Sequence, residues 1–313
     1  HWSIQLFYLL FGAAAFQNSA LEWSAQHRIH HRQVDTNKDP YNAQKGFFWS
    51  HMGWIFFKAR PDPDFKTVRD LQKKPLVMWQ HKYCITIGLT IGIAVPTIIG
   101  YFYGSAWGGF LIGGILRLVL LHHTTFLINS AAHYFGSQPY SDKSSARDSW
   151  WLALFTFGEG YHNFHHTFQG DYRNGIRKYH WDPSKWFISC LSFVKLTSKL
   201  RRTPELSIAR ARLQMAQKTT EPMLKNLPQQ LAESMRYRRE QLQAQIEAAA
   251  FELTRTRKRY VNLRNNRVLR QNPDSKKMRQ ELKVQLAQYK KHMQQAWMEY
   301  REFMSTIQIE AAT

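Results

Sequence analysis

Cysteine is nearly missing from this chain of 313 residues: Cys84 and Cys190 are the only two. A pair so far apart supports neither a disulfide framework nor a thiolate metal site, and it leaves imidazole as the main soft ligand available. Acidic side chains are scarce too, 22 Asp and Glu against 43 Lys and Arg, for a net charge of +21. The chain opens at His1 inside an apolar segment, with no methionine, charged n-region or cleavage site of a signal peptide, and reads as a fragment lacking its natural beginning. What is abundant excludes a disordered basic tail, since 44% of residues are hydrophobic and 14% aromatic. The length suits one large domain or two modest ones.

Two uncharged or nearly uncharged runs stand out. Ile85 to Tyr103 contains no charge and is long enough to cross a bilayer; Pro96 within it predicts a kink. After the turn "GSAWGG", Phe110 to Asn129 is a second apolar run whose one interior charge is Arg117. These predict a transmembrane hairpin with Tyr101, Tyr103 and Trp107 at the far interface. The run from Ile4 to Phe16 is too short to span alone and reads as the end of another crossing. Lys73, Lys74 and Lys82 precede the hairpin and Lys143 and Arg147 follow it, which places both long flanks in the cytosol. The aromatic segment Gly46 to Arg60 is also too short to span and predicts a helix lying on the membrane surface.

The last third differs. From Lys199 onward there are 24 Lys and Arg against 11 Asp and Glu. Leu242, Ile246, Ala249, Leu253, Tyr260 and Leu263, then Leu282, Leu286, Tyr289, Met293, Ala296, Tyr300 and Ile307, recur at steps close to a heptad seam. "QNPDSKK" interrupts the seam, with Pro273 as breaker and Asp274 or Ser275 as cap. Two long soluble helices are predicted, folded as an antiparallel hairpin or paired with another chain. The boundaries are a membrane domain over 1–195, a linker over 196–227 and a basic helical extension over 228–313.

Histidine is patterned. "HRIHH" sets His27, His30 and His31 at i, i+3 and i+4 on one helical face, and alone it fits either a metal site or a basic helix end. "HNFHH" repeats that spacing with His162, His165 and His166, while "NSAAH" puts Asn129 and His133 one turn apart as the second span emerges. Seven histidines on one membrane face exceed the four ligands of a structural zinc site and suit two metals sharing a site, with Fe, Zn, Cu and Ni all compatible. Glu22, Asp35, Asp39 and Glu159 are candidates to orient the imidazoles from behind. His122 lies on the face of Asn129 and His133 but about 16 Å from the latter. His1, His51, His81, His123, His180 and His292 lack a spaced partner and are not expected as ligands.

"HRIHH", "NSAAH" and "GEGYHNFHH", with "AFQN" before the first and "DPYN" and "GFFWSHMGW" after it, resemble the membrane fatty-acid desaturases, specifically the Δ9 acyl-CoA (stearoyl-CoA-type) family and its bacterial branch, over residues 1–195. The resemblance implies an all-α integral membrane protein, with transmembrane helices and a cytosolic helical cap holding a di-iron centre. It implies His27, His30, His31, His133, His162, His165 and His166 as ligands, with Asn129 acting through water. A further family box, H-x-x-x-x-H, belongs upstream of the residue matching His1 and is absent from the sequence. The implied reaction is O2-dependent desaturation of a long acyl chain, with Asn18, Lys58 and Phe126 near the substrate. Ala25 and Gln26 replace a charged pair of the animal acyl-CoA members. With no "HPGG" haem motif in the chain, a separate ferredoxin or cytochrome b5-type donor is implied.

The basic extension fits an acidic redox partner, anionic lipid or self-association; no nucleic-acid partner is expected, and the implied location is a bacterial inner membrane. Rival readings are a di-iron membrane hydroxylase and a non-catalytic metal-binding membrane protein or scaffold. Against the latter, the clustered histidines lie at or beyond the cytosolic ends of the spans.

Overall fold

The computed structural model describes residues 1–57, 63–266, 269 and 274–312. Every regular element among them is helical, and strand-like pairing is confined to two isolated bridges, Ser137 to Asp148 and Asp148 to Tyr161. Two compact units emerge: His1–Gln138 with Asp142–Arg201, and Pro139–Ser141 with Arg202–Thr313.

In the first unit, α1 (Trp2–Ala13) meets α2 (Ala20–Gln33) through a turn where Phe16 and Asn18 adopt φ of 53° and 69°. Ser19 opens α2 because its hydroxyl accepts from the Glu22 N–H (3.2 Å) while the Glu22 carboxylate accepts from the Ser19 N–H (3.3 Å). That reciprocal pair satisfies donors a helix start leaves open. Glu22 is therefore engaged in capping its own helix rather than in orienting a histidine. Leu21 and Ala25 of α2 pack with Leu9, Val68 and Val77 in one apolar cluster.

The two apolar runs are helices of 28 and 29 residues, α3 (Pro75–Phe102) and α4 (Ala106–Tyr134). Both are long and apolar enough to cross a membrane, and only 17% and 11% of their most apolar windows are buried within the protein. A core helix of a soluble protein would be covered; these surfaces need an apolar surrounding. Pro96 has no N–H for the carbonyl four residues back, and the helix widens to π-type bonding over Thr90–Ala94 just before it. Arg117 of α4 donates to that carbonyl, Gly92 O (3.2 Å), and also to Ala14 O (3.1 Å) and Gly113 O (3.0 Å). The lone interior charge is thus held by carbonyls from three segments. At the hairpin tip the backbones of Gly100 and Gly109 touch, and a Cβ on Gly109 would collide with Pro96 O and the Gly100 backbone.

Three short helices follow: α5 (Trp150–Phe155), α6 (His162–Thr167) and α7 (Pro183–Phe193). The aromatic segment after α2 forms helical turns over Trp49–Gly53 and Trp54–Phe56, and its end, 58–60, lies outside the described residues.

In the second unit, α8 (Glu205–Lys225), α9 (Gln229–Asn265) and α10 (Ser275–Glu310) share a core of Ala209, Leu213, Leu242, Ile246, Ala250, Ala296 and Tyr300. Helix α8 occupies much of 196–227, where the sequence suggested only a connection. Ala250 rather than Ala249 is buried, since steps of four from Leu242 lead through Ile246 to 250. Arg239 is buried, donating to Glu221 (2.9 Å) and Thr220 (3.2 Å). The expected breaker Pro273 lies outside the described residues.

Gly109→Ala should destabilise the detergent-solubilised protein by about 1–3 kcal/mol through overpacking. Gly12→Ala, whose Cβ meets nothing within 4 Å, should be neutral or stabilising by up to about 1 kcal/mol. Thermal unfolding of the two variants checks the order, and the reverse order would contradict a tight helix crossing at the tip.

Candidate metal centre

The last two turns of α2 carry His27, His30 and His31. A backbone break at Ser130 (φ −107°, ψ −79°) turns the end of α4 so that His133 follows in a separate turn. Helix α6 supplies His162, His165 and His166. Its approach demands glycine: a Cβ on Gly160 would strike the backbones of Ala153 and Ser149, and Gly158 sits at φ +105°.

All seven rings meet, in two adjoining groups. His30, His133, His162 and His166 form a buried set; His27, His31 and His165 form a half-buried one; within each, the ligand atoms lie within 4.8 Å of one another. The ring centroids of His31 and His166, one from each group, are 4.4 Å apart. The contacts run through Nε2: His30 to His166 (3.2 Å), His166 to His162 (3.1 Å), His162 to His133 (3.1 Å), His27 to His31 (3.0 Å) and His31 to His165 (3.0 Å). Two nitrogens bound about 2.1 Å from one metal stand about 3.0 Å apart at a right angle and about 3.4 Å apart at a tetrahedral one. The spacing fits shared cations.

Burial, then repulsion among neighbouring rings, holds His27, His162 and His166 well below the usual histidine range and His31 at about 3. Neutral rings are the form that ligates. The Nδ1 atoms of His31 and His162 are buried without a hydrogen-bond partner, so those rings have only Nε2 through which a polar bond can orient them. The donor set, all imidazole and all converging on Nε2, fits two metal ions.

The outer partners divide. Asp39 accepts from His30 Nδ1 (2.8 Å) and from the Tyr41 and Asp35 N–H groups (3.0 Å each). Asp35 accepts from the N–H and hydroxyl of Ser145 (2.6 Å each), and the Ser145 Oγ lies 2.8 Å from His133 Nδ1. Glu159 instead accepts from Asn174 (2.5 Å). Ser145 and Asp148 leave no signal in the histidine spacing, because they reach the site from a loop remote from the triplets. Asp148 pairs through its backbone with Ser137 (2.7 and 3.0 Å), and its carboxylate accepts from the Phe164 N–H (3.0 Å), holding the start of α6. Burial pushes its carboxyl up to about 7.

Asn129 is half-buried one turn before His133. Phe126 is buried against His51, Trp54, His122 and His123, whereas Asn18 is exposed in the turn before α2, and Lys58 lies outside the described residues. Ala25 and Gln26 are buried, so at these positions the chain has core side chains. Elsewhere, His122 contacts Ala15 O (2.7 Å), His81 contacts Ser19 (2.7 Å), His1 caps α1, and His180 stacks on Tyr161. His51 and His123, remote in sequence, contact each other at 3.1 Å.

A family model described as fatty acid desaturase matches residues 1–185. The chain is 43% identical over 222 residues to acyl-CoA desaturase 1 of Saccharomyces cerevisiae, covering 70% of this chain and 43% of that protein. It is 44% identical over 209 residues to a probable acyl-CoA desaturase of Schizosaccharomyces pombe, covering 66% and 44%. With stearoyl-CoA desaturase 5 of Bos taurus it shares 36% identity over 214 residues, covering 66% and 64%. The chain thus spans less than half the length of the two yeast relatives.

The lowered histidine pKa values set a pH dependence for the metal-free protein. The folded protein takes up these protons only far into the acid range, at about 3 for His31, whereas the unfolded chain does so near the ordinary histidine value of 6.5. Stability is therefore full above that value and falls as pH drops through the window below it. Asp148 acts oppositely, its contribution being lost as pH rises through about 7, but it is one group against four. Denaturant midpoints of the metal-free protein should fall from about pH 7.5 to about pH 5; a midpoint that rises would contradict the buried, neutral rings.

Proposed function

The chain belongs to the fatty acid desaturase family, and from that footing we propose that it is an acyl-CoA desaturase that introduces a cis double bond, at Δ9, into a long-chain acyl thioester. The observation carrying this reading is the convergence of seven imidazole Nε2 atoms in two adjoining groups, four rings and three. In this proposal both ions are iron, held by His30, His133, His162 and His166 and by His27, His31 and His165, with Asn129 acting through water. Iron with O2 supplies the oxidising power that an unactivated C–H bond requires.

The chain's own residues supply position. Asp39 orients His30, the Asp148 carboxylate holds the helix bearing three ligands, and Arg117 secures the kinked hairpin beside α1. An acyl chain held rigidly against the metal site has its reacting carbons chosen by geometry. Phe126, Asn18 and Lys58 are the proposed substrate contacts, and the Lys58 ammonium suits a phosphate-bearing head group. Acyl-CoA as carrier is supported by the similarity to acyl-CoA and stearoyl-CoA desaturases. Two electrons per turnover come from a ferredoxin or cytochrome b5-type donor.

The proposed setting is a multi-pass protein, on the sequence reading in a bacterial inner membrane, with the site on the cytosolic side as the flanking lysines favour. Residues 1–195 form the membrane desaturase domain; of 196–227, only the stretch before α8 connects, since α8 packs with the basic helical hairpin of 228–313 in one accessory unit that self-associates or meets a partner.

Membranes containing the protein, supplied with stearoyl-CoA, O2 and a reduced donor, should yield a product lighter by two hydrogens in mass spectrometry. A product heavier by one oxygen would assign hydroxylation instead. His162→Ala should abolish the product and reduce bound iron, and unchanged iron would contradict the ligand assignment.

A further inference from the structure

We propose that Ser145, backed by Asp35, is a positioning residue that fixes which nitrogen of His133 faces the metal. This inference rests on the metal reading above.

The hydrogen-bond directions leave one arrangement. The Asp35 carboxylate has no proton to give, so the Ser145 hydroxyl, 2.6 Å away, donates to it. With its only proton committed, Ser145 Oγ must accept from His133, 2.8 Å away, and His133 must therefore carry its proton on Nδ1. Its Nε2 is then a bare lone pair, 3.1 Å from His162 Nε2 in the buried group. The serine hydroxyl is an adaptor, transmitting to His133 the polarity that His30 receives directly from Asp39.

The backbone holds this adaptor from both sides. Asp35 sits at φ 64° in the turn after α2, and its N–H donates to Asp39 (3.0 Å). Its second oxygen accepts from the Ser145 N–H (2.6 Å). Next along the chain, Ala146 O accepts from Asn163 (2.9 Å) and the Arg147 N–H donates to Ala132 O (2.7 Å). Residues 145–147 thus strap the turn after α2, the turn bearing His133 and the helix bearing His162 into one frame. His30 and His133, from different helices, are linked through Asp39, Asp35 and Ser145.

The test uses the full chain in lipid nanodiscs, with Ser145→Ala, Ser145→Thr and His162→Ala compared with wild type. The readouts are retained iron, the rate of iron loss to a chelator and the ligand-field spectrum after cobalt substitution. Ser145→Ala should lose metal about 10–100-fold faster, the usual cost of removing a partner behind a ligating histidine. It should alter the cobalt spectrum while its unfolding temperature stays near wild type, and Ser145→Thr, keeping the hydroxyl, should restore both. Wild-type metal retention and spectrum in Ser145→Ala would overturn the proposal, as would equal failure of Ser145→Thr. His162→Ala separates this from failure of the metal reading: if it too retains metal like wild type, the centre itself is wrong.

Discussion

Seven imidazoles brought nitrogen to nitrogen at 3.0–3.2 Å set the problem that the rest of the first unit solves. Neutral rings directing lone pairs at one another repel, and protonated rings so deeply buried repel more strongly still. A cation between the rings removes that repulsion, while in its absence burial first, and the neighbouring rings second, hold these histidine pKa values low. A metal relieves both costs at once, which is why binding and folding of such a centre are coupled.

Holding rings in that geometry needs a scaffold that does not depend on the rings themselves. Helix α2 is started by its own Ser19–Glu22 cap, and α6 by the carboxylate of Asp148 from a separate strand-like segment. His133 arrives only because the backbone breaks at Ser130, ending the long apolar helix one turn earlier. The hairpin below is fixed by backbone contact at Gly100 and Gly109 and by the Arg117 guanidinium, which gathers carbonyls from three segments.

Much of this was legible in advance because it is periodic. Apolar length reveals a span, and a step of three and four puts His27, His30 and His31 on one face wherever the helix lies. The seam of α9 and α10 was visible for the same reason, although the true face passes through Ala250 instead of Ala249. Carboxylates were harder to read: Asp35 and Asp39 do stand behind histidines, but Glu22 caps its helix and Glu159 binds Asn174. Asp and Glu serve caps, turns and ligand orientation equally well, and nothing in one dimension separates these uses. Helix α8 is hidden in the sequence because its apolar positions are sparse among charges and make sense only against other helices, Ala209 and Leu213 against Leu242 and Tyr300, and Leu224 against Met235 and Ile307.

Local repetition was therefore enough to specify the two apolar helices, the seam of α9 and α10 and the histidine triplets, since a helix places i, i+3 and i+4 together without reference to anything else. Which triplet faces which, the division of seven rings into four and three, the Asp35–Ser145–His133 chain and the His51–His123 pair arise from long-range packing. Those features join residues separated by tens to more than a hundred positions. No periodic rule connects them, because their proximity is set by how whole helices pack and not by the turn of any one of them.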